Sequence, residues 1–208
     1  NQLACADDDI LNVTSAGSIT YNDHKAVDLE DISGVQITND GTIQTEDGTN
    51  KQKAIHAESS LNTTITNNGT INSDNNEGII LDYAENVIIT NNAGATISAE
   101  GNNAISGKNV GNCHFNGTNC HADLSGQSNG VGLTLHNHGT ITSQHETVWL
   151  GSGSSGAHRS KGIKIYNYDG GIIKTTDEGD SPIKGFHLVD FEFINYQGGT
   201  IEGDDRHA

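Results

Sequence analysis

Seven times along this chain a segment of the form apolar-x-apolar-x-Asn, then a turn, then Gly-Thr-Ile returns, and that recurrence leaves few folds open. The clearest copies are VQITNDGTI (35–43), TTITNNGTI (63–71), LTLHNHGTI (133–141), IKIYNYDGGII (163–173) and FEFINYQGGTI (191–201), with LNVTSAGSI (11–19) and VIITNNAGATI (87–97) slightly altered. The closing isoleucines are Ile19, Ile43, Ile71, Ile97, Ile141, Ile173 and Ile201, so most steps fall between 24 and 32 residues. A period of that size marks a solenoid. Each repeat carries a second apolar pair shortly after the Ile: KAVDL (25–29), KAIHA (53–57), EGIIL (77–81), NAISG (103–107), ETVWL (146–150) and SPIKG (181–185). Alternation with a period of two makes both segments strands, and helix signals are missing.

Turns of this length, each holding two or three short strands, stack into an all-β, right-handed parallel β-helix of about seven rungs. Equivalent positions then lie one above another at ~4.8 Å and form files. The seven isoleucines make one inward file, and Val27, Ile55, Ile79, Ile105, Val148 and Ile183 make another. Asn39, Asn67, Asn91, Asn137, Asn167 and Asn195 fall at a corner, where each amide can bond to those above and below. Ser18, Thr42, Thr70, Thr96, Thr140 and Thr200 form an outward row broken by Ile172. Composition agrees: Gly 26, no Met, 5% aromatic and 32% hydrophobic residues would leave a globular core thin, whereas a β-helix needs only a narrow apolar column. The reading is one domain over residues 1–208, expected to be a segment of a longer exported protein because it begins without Met and its last rung shows no cap.

A net charge of −17 argues against nucleic acid and anionic membrane as partners, since phosphate binding needs clustered Lys and Arg. No apolar span suggests membrane insertion by this segment. The acidic turns ADDD (6–9), TEDG (45–48), TDEGD (176–180) and EGDD (202–205) lack the regular spacing of calcium-binding β-rolls, so no metal or cofactor is assigned. Cys113 and Cys120 bracket the turn-rich HFNGTN and are expected to form a local disulfide, with a reduced pair or a zinc site beside His114 and His121 as alternatives. Cys5 has no assigned partner.

The repeated Asn-x-Gly-Thr-Ile turns (39–43, 67–71, 137–141), the Asn ladder, the Ile files and the small Cys113–Cys120 loop resemble the passenger domains of bacterial autotransporters, within the pectate-lyase-like β-helix superfamily. The resemblance covers residues 10–201 and is architectural, shared with phage tailspikes and polysaccharide lyases. It implies display on the bacterial cell surface or secretion, with roles in adhesion, self-association or biofilm.

Function sits in sites grafted on such a rod, and here the repeat is interrupted twice. From the second strand of one rung to the first strand of the next takes about eight residues, but Gly107 to Leu135 takes 28 and Leu150 to Ile165 takes 15. Both insertions, 108–130 and 151–162, leave the same corner on neighbouring rungs and are expected to form one protrusion. Beside it the outward rows change. The position before the Asn reads Thr14, Thr38, Thr66 and Thr90, then His136, Tyr166 and Ile194; the outward position of the second strand reads Asp28, His56, Ile80 and Ser106, then Trp149, the sole tryptophan. Phe115, His136, Trp149, His158, Arg159 and Tyr166 are therefore expected to border a contact surface for a host glycan, a matrix protein or a neighbouring copy. The alternative is a polysaccharide-active lyase or hydrolase, or a tailspike-like glycan binder. Outward acids Asp28, Asp82 and Glu192 read as dispersed, with Glu146 the best lone candidate, so no catalytic residue is assigned.

Overall fold

The computed structural model describes residues 2–46, 52–111, 113–115, 120–122, 131–151 and 159–203, the side chains of 113–115 and 120–122 excepted. Among the described residues there is no helix, and three seven-stranded parallel sheets wrap one column as a right-handed β-helix. Each rung contributes a strand to every sheet. In the third rung these are Lys53–His56 in the first sheet, Thr64–Asn67 in the second and Thr70–Ser73 in the third.

The files expected from the repeat are the files that pair. Ile43, Ile71, Ile97, Ile141 and Ile173 stand in register through the third sheet and are fully buried; Ile19 and Ile201, at its ends, are partly exposed. Val27, Ile55, Ile79, Ile105 and Val148 do the same in the first sheet. The second sheet adds Ile37, Ile65, Ile89, Leu135 and Ile165. Such a column removes branched apolar side chains from water with no need for a thick core.

The corner between the second and third sheets is turned by the Asn. Asn39, Asn67, Asn91, Asn137 and Asn167 are fully buried, and each donates Nδ2 to the Oδ1 of the Asn in the next rung at 2.8–2.9 Å. The second hydrogen of each amide goes to a main-chain carbonyl across the corner, as from Asn91 to Thr140 O at 3.1 Å. The ladder starts at Asn39, because Val13 stands before it and leaves Asn39 Oδ1 without a donor.

Glycine follows the Asn for a steric reason. A Cβ on Gly69 would sit 2.1 Å from Gly41 O in the rung below it. Where the turn is two residues longer, as after Asn91, Asn167 and Asn195, it closes through bonds such as Ala95 N to Asn92 O at 3.0 Å, and Gly94 takes the positive φ of 82° that such a turn requires at its third residue. The first rung is also lengthened, which corrects one alignment: Asn12, not Thr14, pairs with Thr38, because Thr14 opens a turn bonded to Gly17 N at 2.7 Å.

The two insertions leave from bonded bases. Lys161 N donates to Val110 O at 2.8 Å, Asn109 N to Gly151 O at 2.8 Å, and Ser160 Oγ to the same Gly151 O at 2.8 Å. Val110 and Ser160 are fully buried, so these residues inside the two stretches belong to the rungs. Cys113–Phe115 and Cys120–Ala122 form an antiparallel pair, with Cys113 opposite Ala122 and Phe115 opposite Cys120.

Candidate functional site

The first sheet carries an outward row Asp28, His56, Ile80, Ser106, Trp149 and Lys184, one residue per rung and in register. Outward here does not mean exposed. His56, Ile80 and Ser106 are each more than nine-tenths buried, because the turns entering and leaving the sheet fold over them. Between those turns runs a groove of about 330 Å³, floored by Ile80 and Ser106 and closed at one end by Trp149.

Beside Ser106 on the floor, six polar side chains on three rungs line it: Glu77, Asp82, Asn102, Asn103, Lys108 and Glu146. Glu146 is ion-paired with Lys184. Asp82 accepts from Lys108 N at 2.8 Å and faces Lys108 Nζ at 3.8 Å. Glu77 accepts from Asn102 Nδ2 at 2.9 Å through one oxygen only; its Oε2, and Asn103 Oδ1 in a side chain 6% exposed, are buried acceptors with no donor. A buried acceptor left unmatched costs about 1–3 kcal/mol, so the polar wall of this groove is held at a cost to stability. The three acids read as dispersed do stand apart, Asp82 in this groove, Asp28 in a separate cluster and Glu192 on the second sheet, whereas Glu146, read as a lone candidate, shares the groove with Asp82 and Glu77.

Trp149 lies over the backbone of Gly151, where a Cβ would come 3.0 Å from the indole, and leans toward Phe186 with ring centroids 6.4 Å apart. It therefore packs at the base of the second insertion and also walls the groove. A larger hollow of about 410 Å³ near the end of the rod, beside Lys174 and Glu202, is bridged by their ion pair at 3.2 Å and has no aromatic wall.

His136 and Tyr166 meet on the second sheet, away from Trp149's sheet, with centroids 5.4 Å apart. They belong to a ring cluster that the residues before the Asn only half reveal. The residues after it read Asp40, Asn68, Asn92, His138, Tyr168 and Tyr196. Asn68 donates to Asp40 at 2.7 Å and Asn92 to Asn68 at 2.6 Å; then His138 stacks on Tyr168 at 4.2 Å and Tyr168 on Tyr196 at 5.0 Å, within 8° of parallel. These spacings match the rung repeat of ~4.8 Å, so ring faces cover one another along the rod and edges point outward. Tyr168's hydroxyl and His136 Nδ1 share a hydrogen bond of 2.9 Å whose donor depends on the imidazole tautomer. Burial, and then neighbouring His138, holds the His136 imidazole below the ordinary histidine range; burial, and then Tyr196, holds the Tyr168 phenol above its own. Both shifts favour the uncharged forms of the two groups. A ligand meeting this row finds hydroxyls and ring nitrogens rather than a flat aromatic face.

Of the remaining sequence candidates, Arg159 is exposed at the base of the second insertion. His158 lies outside the described residues, as do the side chains of Phe115 and of the Cys113–Cys120 pair. Cys5 is a free thiol half-buried against the core, its pKa raised by burial and then by Asp9 and Asp28. Glu77, Asn103, Tyr168 and Tyr196 were not among the sequence candidates, yet each had a signal: the last two in the column following the Asn, the first two in the column that opens the aligned segments EGIIL (77–81), NAISG (103–107) and ETVWL (146–150). No protein-family model, curated protein or solved structure matches this chain.

Proposed function

We propose that this rod is a non-enzymatic glycan-binding adhesin of the bacterial surface, of the autotransporter passenger type, and that it binds saccharide along the outer face of the first sheet. The observation that carries the reading is the meeting of polar side chains, Glu77, Asp82, Asn103 and Glu146, with an aromatic wall, Trp149, in one groove. A sugar ring matches that combination, with hydroxyls at its rim for the polar groups and a C–H face for the indole. The groove crosses several rungs, which suits a chain of sugars lying along the rod. Its acidic lining disfavours uronates and sulfated sugars.

A glycan array followed by calorimetry on the best hit tests it. Trp149→Ala should weaken binding by ~1–3 kcal/mol, roughly 5- to 150-fold, with circular dichroism unchanged. Asn103→Leu, which removes an acceptor but keeps bulk, should weaken it too. Unchanged affinity in both variants would place the contact elsewhere, on the insertions or the Thr row.

One observation favours a second reading, a polysaccharide-active enzyme: three carboxylates line the same groove. Glycoside hydrolysis needs an acid and a second carboxylate ~5–10 Å apart. Glu146 and Asp82 are each tied to a lysine, which leaves Glu77 as the acid in that scheme. Release of reducing ends from the bound glycan, lost in Glu77→Gln, would establish it.

A further inference from the structure

Near the start of the rod, on the same outward row, His56 stands in register beside Asp28, its side chain only 4% exposed. Both ring nitrogens meet carboxylates. Nε2 lies 3.1 Å from Glu58 Oε2, and Nδ1 lies 3.0 Å from Asp28 Oδ1 and 3.9 Å from Glu30 Oε2. Carboxylate oxygens only accept, and a neutral imidazole has one N–H. With that hydrogen directed to Glu58, Nδ1 faces two anionic oxygens, an arrangement that either a second proton on the ring or a metal ion between them relieves.

We propose that Asp28, Glu30 and His56 form a binding site for a divalent transition metal of the zinc class, with Glu58 orienting the imidazole from behind. Their donor atoms all lie within 4.8 Å of one another. Metal–ligand bonds of ~2.0–2.2 Å place the ligands of a tetrahedral ion about 3.4 Å apart, between the two distances that Nδ1 makes to its carboxylates. The nitrogen donor selects zinc, cobalt or nickel over calcium and magnesium, which take oxygen sets. A liganding histidine whose other nitrogen donates to a carboxylate is the usual outer-sphere arrangement, and Glu58 supplies it. Gln2 Nε2 occupies Asp28 Oδ2 at 2.8 Å, which leaves Oδ1 for the ion.

The place already attracts positive charge. Lys25 Nζ lies 2.8 Å from Glu30 Oε2 and 3.2 Å from each Asp28 oxygen. An ammonium on a four-carbon stem can leave as an ion enters, so Lys25 is the internal competitor. Three protein donors leave a fourth position for water or another ligand. Because Asp28 and His56 lie on neighbouring rungs, the ion would clip those rungs together.

Titration of the chain with Zn²⁺ by calorimetry, and with Co²⁺ by visible absorption, tests this. One ion per chain is expected, with cobalt bands of low-coordinate N/O geometry and a raised melting temperature. Asp28→Asn and His56→Ala should abolish binding, and Glu58→Gln should weaken it ~10- to 100-fold. Lys25→Ala should tighten it, a gain that misfolding cannot produce. Absence of saturable binding to both the parent and Lys25→Ala overturns the proposal, leaving a proton in the ion's place. Binding that survives Asp28→Asn and His56→Ala also overturns it, and places the ion at another group, such as His136 with His138 or the residues beside Cys113 and Cys120.

Discussion

Both hydrogens of the Asn91 amide are committed, one to Asn137 Oδ1 at 2.9 Å and one to Thr140 O at 3.1 Å, and its oxygen accepts from Asn67 at 2.9 Å. No other side chain of this size offers two donors and an acceptor in one plane. Asp would set an unpaired charge against Asn137 Oδ1, and Leu would strand all three partners. Asn91→Ala should therefore cost on the order of 3 kcal/mol in urea unfolding, since it orphans buried groups in two neighbouring rungs. The same change at Asn195 should cost under about 1 kcal/mol, because that exposed amide has its own donor bond only to Gly199 O, at 3.0 Å. Equal costs at the two positions would show that the ladder contributes residue by residue and not through its mutual satisfaction.

At the scale of strands and turns, what the repeat made legible was whatever recurs in register. The Ile files, the Thr row with its break at Ile172, and the Asn corner all follow from positions counted back from Gly-Thr-Ile, and the pairing has them in those places. What it obscured depends on turn length. Counting back through the first turn misplaced Thr14, since four residues separate Val13 from Ser18 where two separate Asn39 from Thr42. The groove acids were readable in part: Glu77 and Glu146, with Asn103, open the aligned segments EGIIL, ETVWL and NAISG, and Asp82 follows the first of these. The ring row was readable, in the column after the Asn, but its geometry was not: sequence places rings on successive rungs without saying that their faces cover one another. This row also carries a pH dependence. His136 has its imidazole held below the ordinary 6.5 by burial and then by His138, so the folded chain favours the neutral ring, which is hydrogen-bonded to Tyr168. A depressed value means the contribution is fully present above the unfolded pKa and is lost as pH falls through the folded one. Melting temperature should thus fall on acidification from about pH 7.5 to about pH 5, and fall less in His136→Phe, which keeps a ring without a titrating nitrogen. Parallel slopes for the two proteins would remove His136 from the account.

Over the whole molecule, stability is distributed along one axis. Each rung touches only its neighbours, so a solenoid behaves as a sum of rung terms and rung–rung interfaces, and the same substitution should matter according to where along the rod it falls. A middle and a last position show the difference. Ile71 is fully buried between Ile43 and Ile97, whereas Ile201, among the described residues, has a rung on one side only and shares that end with Phe191 and Phe193, exposed by 43% and 38%. An Asp in place of Ile71 buries an unpaired charge in the narrow column and interrupts both interfaces; at Ile201 the carboxylate can reach water and one interface suffers. Ile71→Asp should therefore cost at least ~4–5 kcal/mol and abolish cooperative unfolding, while Ile201→Asp should cost about 1–2 kcal/mol, with loss of amide protection confined to the last rung in hydrogen exchange. If Ile201→Asp unfolds the rod as completely as Ile71→Asp, the seven rungs form a single all-or-none unit, and the nearest-neighbour description of this chain fails.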